Sequence, residues 1–132
     1  MAVVLIAEDD PDARETLEDF LGDEGYEVPT AADGQKMLEA LRASARPMVA
    51  LIDQYMPRVS ARHLIELLYA APSDLARHAF IFVTGAPYAL PAMPVDACPG
   101  TFFAVVPKPF ELDEINSALE HTAAHLKAGN GL

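Results

Sequence analysis

Cysteine is nearly absent. The 132-residue chain has one, Cys98, which cannot close an internal disulfide, so a reducing, cytoplasmic setting is expected. Positive charge is scarce too: nine Lys and Arg stand against twenty Asp and Glu, a formal charge of −11. A surface of that sign repels phosphate backbones, which excludes nucleic-acid binding through a basic face and makes proteins the expected partners. Nowhere do about 18 apolar residues run together, so no membrane span is expected. The apolar start, Met1 to Ala7, meets Glu8-Asp9-Asp10 too soon for a signal segment and has no basic flank. Repeats, low-complexity tracts and a second domain are all lacking. What is present is a chain that is 52% hydrophobic. At this length it buries roughly two-thirds of its unfolded surface, and it needs no disulfide or structural metal to fold.

Apolar runs of strand length alternate with stretches of helical period, which reads as α/β with a doubly wound parallel sheet. Val3 to Ala7 is continuous, as a strand buried on both faces should be. Asp10-Pro11 then supplies an N-cap and a favoured first helical residue, and Ala13, Leu17, Phe20 and Leu21 recur at helical spacing up to Gly22 and Gly25. A short second strand is expected at Tyr26 to Val28, stopped by Pro29. Asp33-Gly34 opens a helix with Met37, Leu38 and Leu41 on one stripe. Met48 to Ile52 is the third strand, ending at Asp53. Ser60 caps a third helix carrying Leu64, Ile65 and Leu68, and Phe80 to Val83 is the fourth strand, ending at Thr84. Pro87, Pro91, Pro94 and Pro99 fall where a fourth helix belongs, and each interior proline costs about 3 kcal/mol in a helix, so that helix is expected to be degraded to a proline-rich loop. Phe102 to Val106 is the fifth strand. A last helix, roughly 111–127, buries Leu112, Ile115, Leu119 and Leu126.

Polar residues gather at the ends of these strands. The first delivers Glu8 and Asp9, the third Asp53, the fourth Thr84 and the fifth Lys108, all at the carboxyl edge where open parallel sheets bind ligands. Three carboxylates about 5 Å apart repel by roughly 3 kcal/mol per pair at an effective dielectric of about 20, so a cation is expected among them. Mg²⁺ suits oxygen ligands and keeps waters for a phosphoryl group to displace. An anionic nucleophile, a metal, a lysine and a hydroxyl are the parts phosphoryl transfer needs.

The segments VLIAEDDP, ALIDQYMP, IFVTGAP and VPKPF, in this order and spacing, resemble the receiver domain of bacterial two-component response regulators from Ala2 to about Lys127. The resemblance implies a CheY-like, flavodoxin-like (βα)5 fold with strand order 2-1-3-4-5, a receiver over 1–127 and a flexible tail over 128–132. It implies Asp53 as the phosphoacceptor for a phosphohistidine on a sensor histidine kinase or histidine phosphotransfer protein. Glu8 and Asp9 would hold Mg²⁺ with Asp53 and the backbone carbonyl of Tyr55, while Thr84 and Lys108 would bind phosphoryl oxygens. Asp10, preceding Pro11, is assigned to the helix cap rather than the metal.

Departures from the family concern output. Val105 stands where relatives commonly carry a switching aromatic, with Phe103 two residues earlier as a substitute, and the 85–100 segment with Tyr88, Leu90 and Met93 replaces a regular effector-facing helix. With no DNA-binding or enzymatic domain after the last helix, output is expected through another protein, by a monomer or weak dimer, rather than by multiple-turnover catalysis. The alternatives are a small Mg²⁺-dependent phosphohydrolase and a phosphorylation-independent adaptor. Tyr55 stands where such hydrolases need an acid–base residue, which disfavours the first. The presence of all five site residues disfavours the second. His63 and His78 are expected at the surface. His121 and His125 share a helix face without a third ligand, and Cys98 has no cation beside it to activate the thiol.

Overall fold

The first apolar run becomes β1 (Val4–Ala7), buried along its whole length because both of its faces are covered. Alternate residues serve opposite cores: Leu5 and Ala7 join one cluster, Val4 and Ile6 the other. A computed structural model of the chain describes residues 3–53, 77–84, 103–107 and 110–129. Its strands are β1, β2 (Thr30–Ala31), β3 (Val49–Asp53), β4 (Ala79–Thr84) and β5 (Phe103–Pro107). They pair in parallel in the order β2-β1-β3-β4-β5, as expected. Three helices are described, α1 (Pro11–Asp23), α2 (Gly34–Ala43) and α3 (Leu112–Gly129). The expected helix after Ser60 and the proline-rich 85–100 segment lie outside the described residues.

Helix α2 covers one face of the sheet, with Met37, Leu38 and Leu41 against Leu5, Ile52, Phe80 and Phe82. Helices α1 and α3 cover the other, with Leu17, Leu21, Ile115 and Leu119 against Val4, Ile6, Leu51, Ile81 and Val106. Local chemistry sets the helix ends. Asp10 Oδ1 accepts from the Asp12 N–H at 3.1 Å and Asp33 Oδ1 from the Lys36 N–H at 2.9 Å, as N-caps should. Helix α1 ends in a Schellman turn, in which Gly25, at φ +98°, donates to the Gly22 carbonyl and Tyr26 to that of Leu21. The Glu111 N–H is bound by the Glu114 carboxylate at 3.0 Å, opening α3.

Two expectations need correction. The second strand does not stop at Pro29; it forms after it, preceded by an isolated bridge between Val3 and Glu27. The N–H groups of Val4, Ile6 and Glu8 donate to the carbonyls of Glu27, Pro29 and Ala31, so the segment follows β1 on both sides of Pro29; the proline has no N–H to return to β1, which leaves the bridge at Glu27 isolated and lets β2 begin only at Thr30. The second correction concerns His78, which is fully buried rather than at the surface. Its Nδ1 accepts from the Met48 N–H at 2.9 Å, which leaves Nε2 as the protonated nitrogen, 2.8 Å from the Leu41 carbonyl. Arg77 beside it donates from Nη2 to the carbonyls of Leu41, Arg42 and Ser44 at 2.9, 3.2 and 2.9 Å. This pair closes the C-terminus of α2, where a cation also meets the negative end of the helix dipole.

Burial holds the His78 pKa below its ordinary 6.5, opposed by the hydrogen bond to Leu41 and reinforced by the charge of Arg77. As pH falls below about 6.5, the unfolded chain gains a proton that the folded imidazole does not accept until its lower pKa is reached. Stability is therefore full above that value and declines on acidification. His78→Ala should cost about 2–3 kcal/mol at pH 7.5 by orphaning the buried Met48 N–H, and should flatten the decline that begins below about pH 6.5. Urea midpoints across that range test this; an unchanged slope in the variant would refute the assignment.

Candidate metal and phosphoryl site

Strand order reverses between β1 and β3, and the crevice beyond their carboxyl ends is where an open parallel sheet collects its ligands. Ala7 pairs with Ile52, so the residues one step on, Glu8 and Asp53, leave adjacent strands side by side. Asp9 follows in the turn toward α1. Glu8, Asp9 and Asp53 each offer a carboxylate oxygen within 4.8 Å of the others, with Glu8 and Asp53 half-buried and Asp9 exposed. Asp10 does not join them and caps α1 instead.

The donor set fits a hard divalent cation. Octahedral Mg²⁺, about 2.1 Å from each ligand, places neighbouring ligand oxygens about 3 Å apart, so the three carboxylates would draw together by up to about 2 Å to share one ion. Mutual repulsion opposes that contraction until a cation is present. Beside the acids lies a cavity of about 150 Å³, lined by Glu8, Asp10 and Asp53 and by apolar side chains from Leu17, Val83 and Phe110. It is small for an organic substrate and large enough for a phosphoryl group with water.

Thr84 closes β4 one residue beyond Val83, the register partner of Asp53, and pairs in turn with Pro107 of β5. The backbone of β4 thus ends on the same edge as the acids. Lys108 and Tyr55 lie outside the described residues. Phe103 and Val105 fall in β5, in register with Phe80 and Phe82. Two contacts at the site were not anticipated from the sequence. The Asp10 N–H donates to Glu8 Oε1 at 3.2 Å, and Arg14 Nη1 donates to the Glu8 carbonyl at 2.8 Å. The only sequence signal for the second is that Arg14 sits one turn into a helix opened by Asp10-Pro11, which brings it back over the strand end.

Comparison with known proteins gives a consistent picture. The family described as response regulator receiver domain matches residues 4–120. Response regulator MprA of Mycolicibacterium vanbaalenii is 35% identical over 72 residues, 54% of this chain and 31% of that protein. The DNA-binding transcriptional regulator NtrC of Escherichia coli K12 is 30% identical over 93% of this chain and 25% of its own length. The chain therefore spans a quarter to a third of these curated relatives. Among solved structures, response regulator TrrA of Thermotoga maritima, in complex with Mg²⁺-BeF, superposes with a TM-score of 0.69 at 24% identity, covering 92% of this chain and 99% of that one.

Saturating Mg²⁺ at about ten times its dissociation constant should stabilise the fold by about 1.4 kcal/mol, a melting shift of about 3–6 °C for a chain of this size. Asp53→Asn should raise the melting temperature of the metal-free protein and shrink the Mg²⁺-induced shift by more than half. Thermal melts with and without chelator measure both. No Mg²⁺ response in the parent chain would remove the metal assignment.

Proposed function

The chain belongs to the response regulator receiver domain family, and from that membership we propose that it is a phosphoacceptor of a two-component phosphorelay, modified on Asp53. The observation that carries this reading is the convergence of Glu8, Asp9 and Asp53 at the switch point between β1 and β3. Receiver domains interact with histidine kinases, and the donor here would be a phosphohistidine on such a kinase or on a histidine phosphotransfer protein.

An Asp53 carboxylate oxygen attacks phosphorus, the phosphorus–nitrogen bond of the donor breaks, and the departing imidazole keeps the electron pair and takes up a proton. Mg²⁺ on Glu8, Asp9, Asp53 and the Tyr55 carbonyl would supply charge neutralisation for the carboxylates and the phosphoryl oxygens. Thr84, at the end of β4, offers its hydroxyl to one phosphoryl oxygen, and Lys108 binds another. Apolar Leu17, Val83 and Phe110 narrow the cavity around the acceptor and limit the water that reaches it.

The added charge at Asp53 biases the carboxyl edge of the sheet, and the signal passes to another protein. In this reading the chain is a signalling module of the cytoplasm, monomeric or weakly dimeric, with the receiver over 1–127 and a tail over 128–132. It touches neither nucleic acid nor membrane. No helix among the described residues is long and apolar enough to cross a bilayer. Either the 85–100 segment or Phe103, standing in for the aromatic that Val105 replaces, would carry the change outward.

Incubation with acetyl phosphate and Mg²⁺ should label the chain to about one phosphoryl group per molecule. Asp53→Asn should abolish the label, and Lys108→Ala should keep part of it while losing the accompanying conformational change. Intact-mass measurement follows the stoichiometry. Full labelling of Asp53→Asn would move the site elsewhere, and rapid multiple turnover without stable label would favour the hydrolase.

A further inference from the structure

Glu8 is held on every side that its backbone presents. Its N–H donates to the Ala31 carbonyl at 3.1 Å, which fixes it to β2, and its carbonyl accepts from Arg14 at 2.8 Å. Its carboxylate also accepts from the Asp10 N–H. Arg14 is itself anchored. Its N–H donates to the Asp10 carbonyl at 3.0 Å, and α1 is clamped to the sheet through Leu17 and Leu21. The guanidinium stays charged at any working pH, so its bond to a carbonyl is charge-assisted and stronger than a neutral one. A half-buried arginine on a fixed helix thus grips the turn between β1 and α1, and that turn bears two of the three clustered carboxylates.

We infer that Arg14 is a positioning residue for the cation site. It fixes the backbone at Glu8 so that the Glu8 and Asp9 carboxylates face Asp53, and it sets divalent-cation affinity without touching the ion or the phosphoryl group. The inference rests on the receiver reading for the identity of the cation. Two effects of the guanidinium pull in opposite directions. As a support it tightens cation binding; as a fixed positive charge beside the acids it weakens it. Its donor is on the main chain of the turn rather than on a carboxylate of the cluster, and on that geometry the supporting effect is the larger. The sign of the change on removal decides between them.

The test uses the whole chain and two readouts. In calorimetric titration with Mg²⁺, Arg14→Ala should bind about tenfold more weakly, the low end of what supporting partners of metal ligands are worth. Arg14→Lys, which keeps the charge and a donor, should lie between the two. In hydrogen exchange on metal-free protein, amides of the 8–12 turn should exchange several-fold faster in Arg14→Ala while those of β3 and β4 keep their rates. A merely structural role would speed both regions together and would overturn the inference. So would Mg²⁺ affinity that is unchanged or tighter in Arg14→Ala, or a Lys variant no better than Ala. Absence of Mg²⁺ binding in the parent chain would defeat the receiver reading, and the exchange comparison would still decide whether Arg14 holds the turn.

Discussion

Pairing β1 directly against β3 forces like charges together, and the rest of the carboxyl edge is arranged around that cost. Glu8 and Asp53 leave adjacent strands at the same level, and Asp9 follows in the turn, so three carboxylate oxygens lie within 4.8 Å. Apolar or small residues at these positions would relieve the repulsion, so the arrangement favours a bound cation. Electrostatic frustration of this kind belongs to functional sites, where stability is given up for chemistry.

The two ends of the sheet are built differently. At the carboxyl end, groups are held apart from full burial: Asp9 is exposed, Glu8 and Asp53 are half-buried, and a small cavity adjoins them. At the amino end of β3 and β4, the structure is sealed. His78 is inside, with both ring nitrogens engaged, and Arg77 closes the last carbonyls of α2. Both ends use an arginine on a main-chain carbonyl, Arg77 to finish a helix and Arg14 to brace a turn. The amino end is thus sealed, and the carboxyl end is braced but open. Membership of the receiver family fits this division of the sheet.

The sequence was most legible where a single physical cause acted. Continuous apolar runs gave β1, β3 and β4, because strands covered on both faces need no polar alternation. The pairs Asp10-Pro11 and Asp33-Gly34 announced the starts of α1 and α2, because capping is a local hydrogen bond between neighbours in the chain. It was misleading where the decisive partner was distant. Pro29 looked like the end of the strand, yet it only interrupts the edge pairing: its carbonyl still accepts from Ile6, and β2 forms beyond it against β1. His78 looked like a surface residue, since its partners, Leu41 and Met48, come from a helix end and a strand start more than 29 residues away.

By itself, the order of apolar runs, caps and strand-end acids determined the α/β class, the parallel sheet and the choice of Glu8, Asp9 and Asp53, because periodicity and charge are properties of the chain read locally. Only the tertiary structure decided that Glu8 and Asp53 are neighbours, that Arg14 reaches back to the Glu8 carbonyl and that His78 is buried. Each of these depends on which strands lie side by side and how a helix crosses their ends, and long-range pairing of that kind leaves no trace in the spacing of residues along a chain.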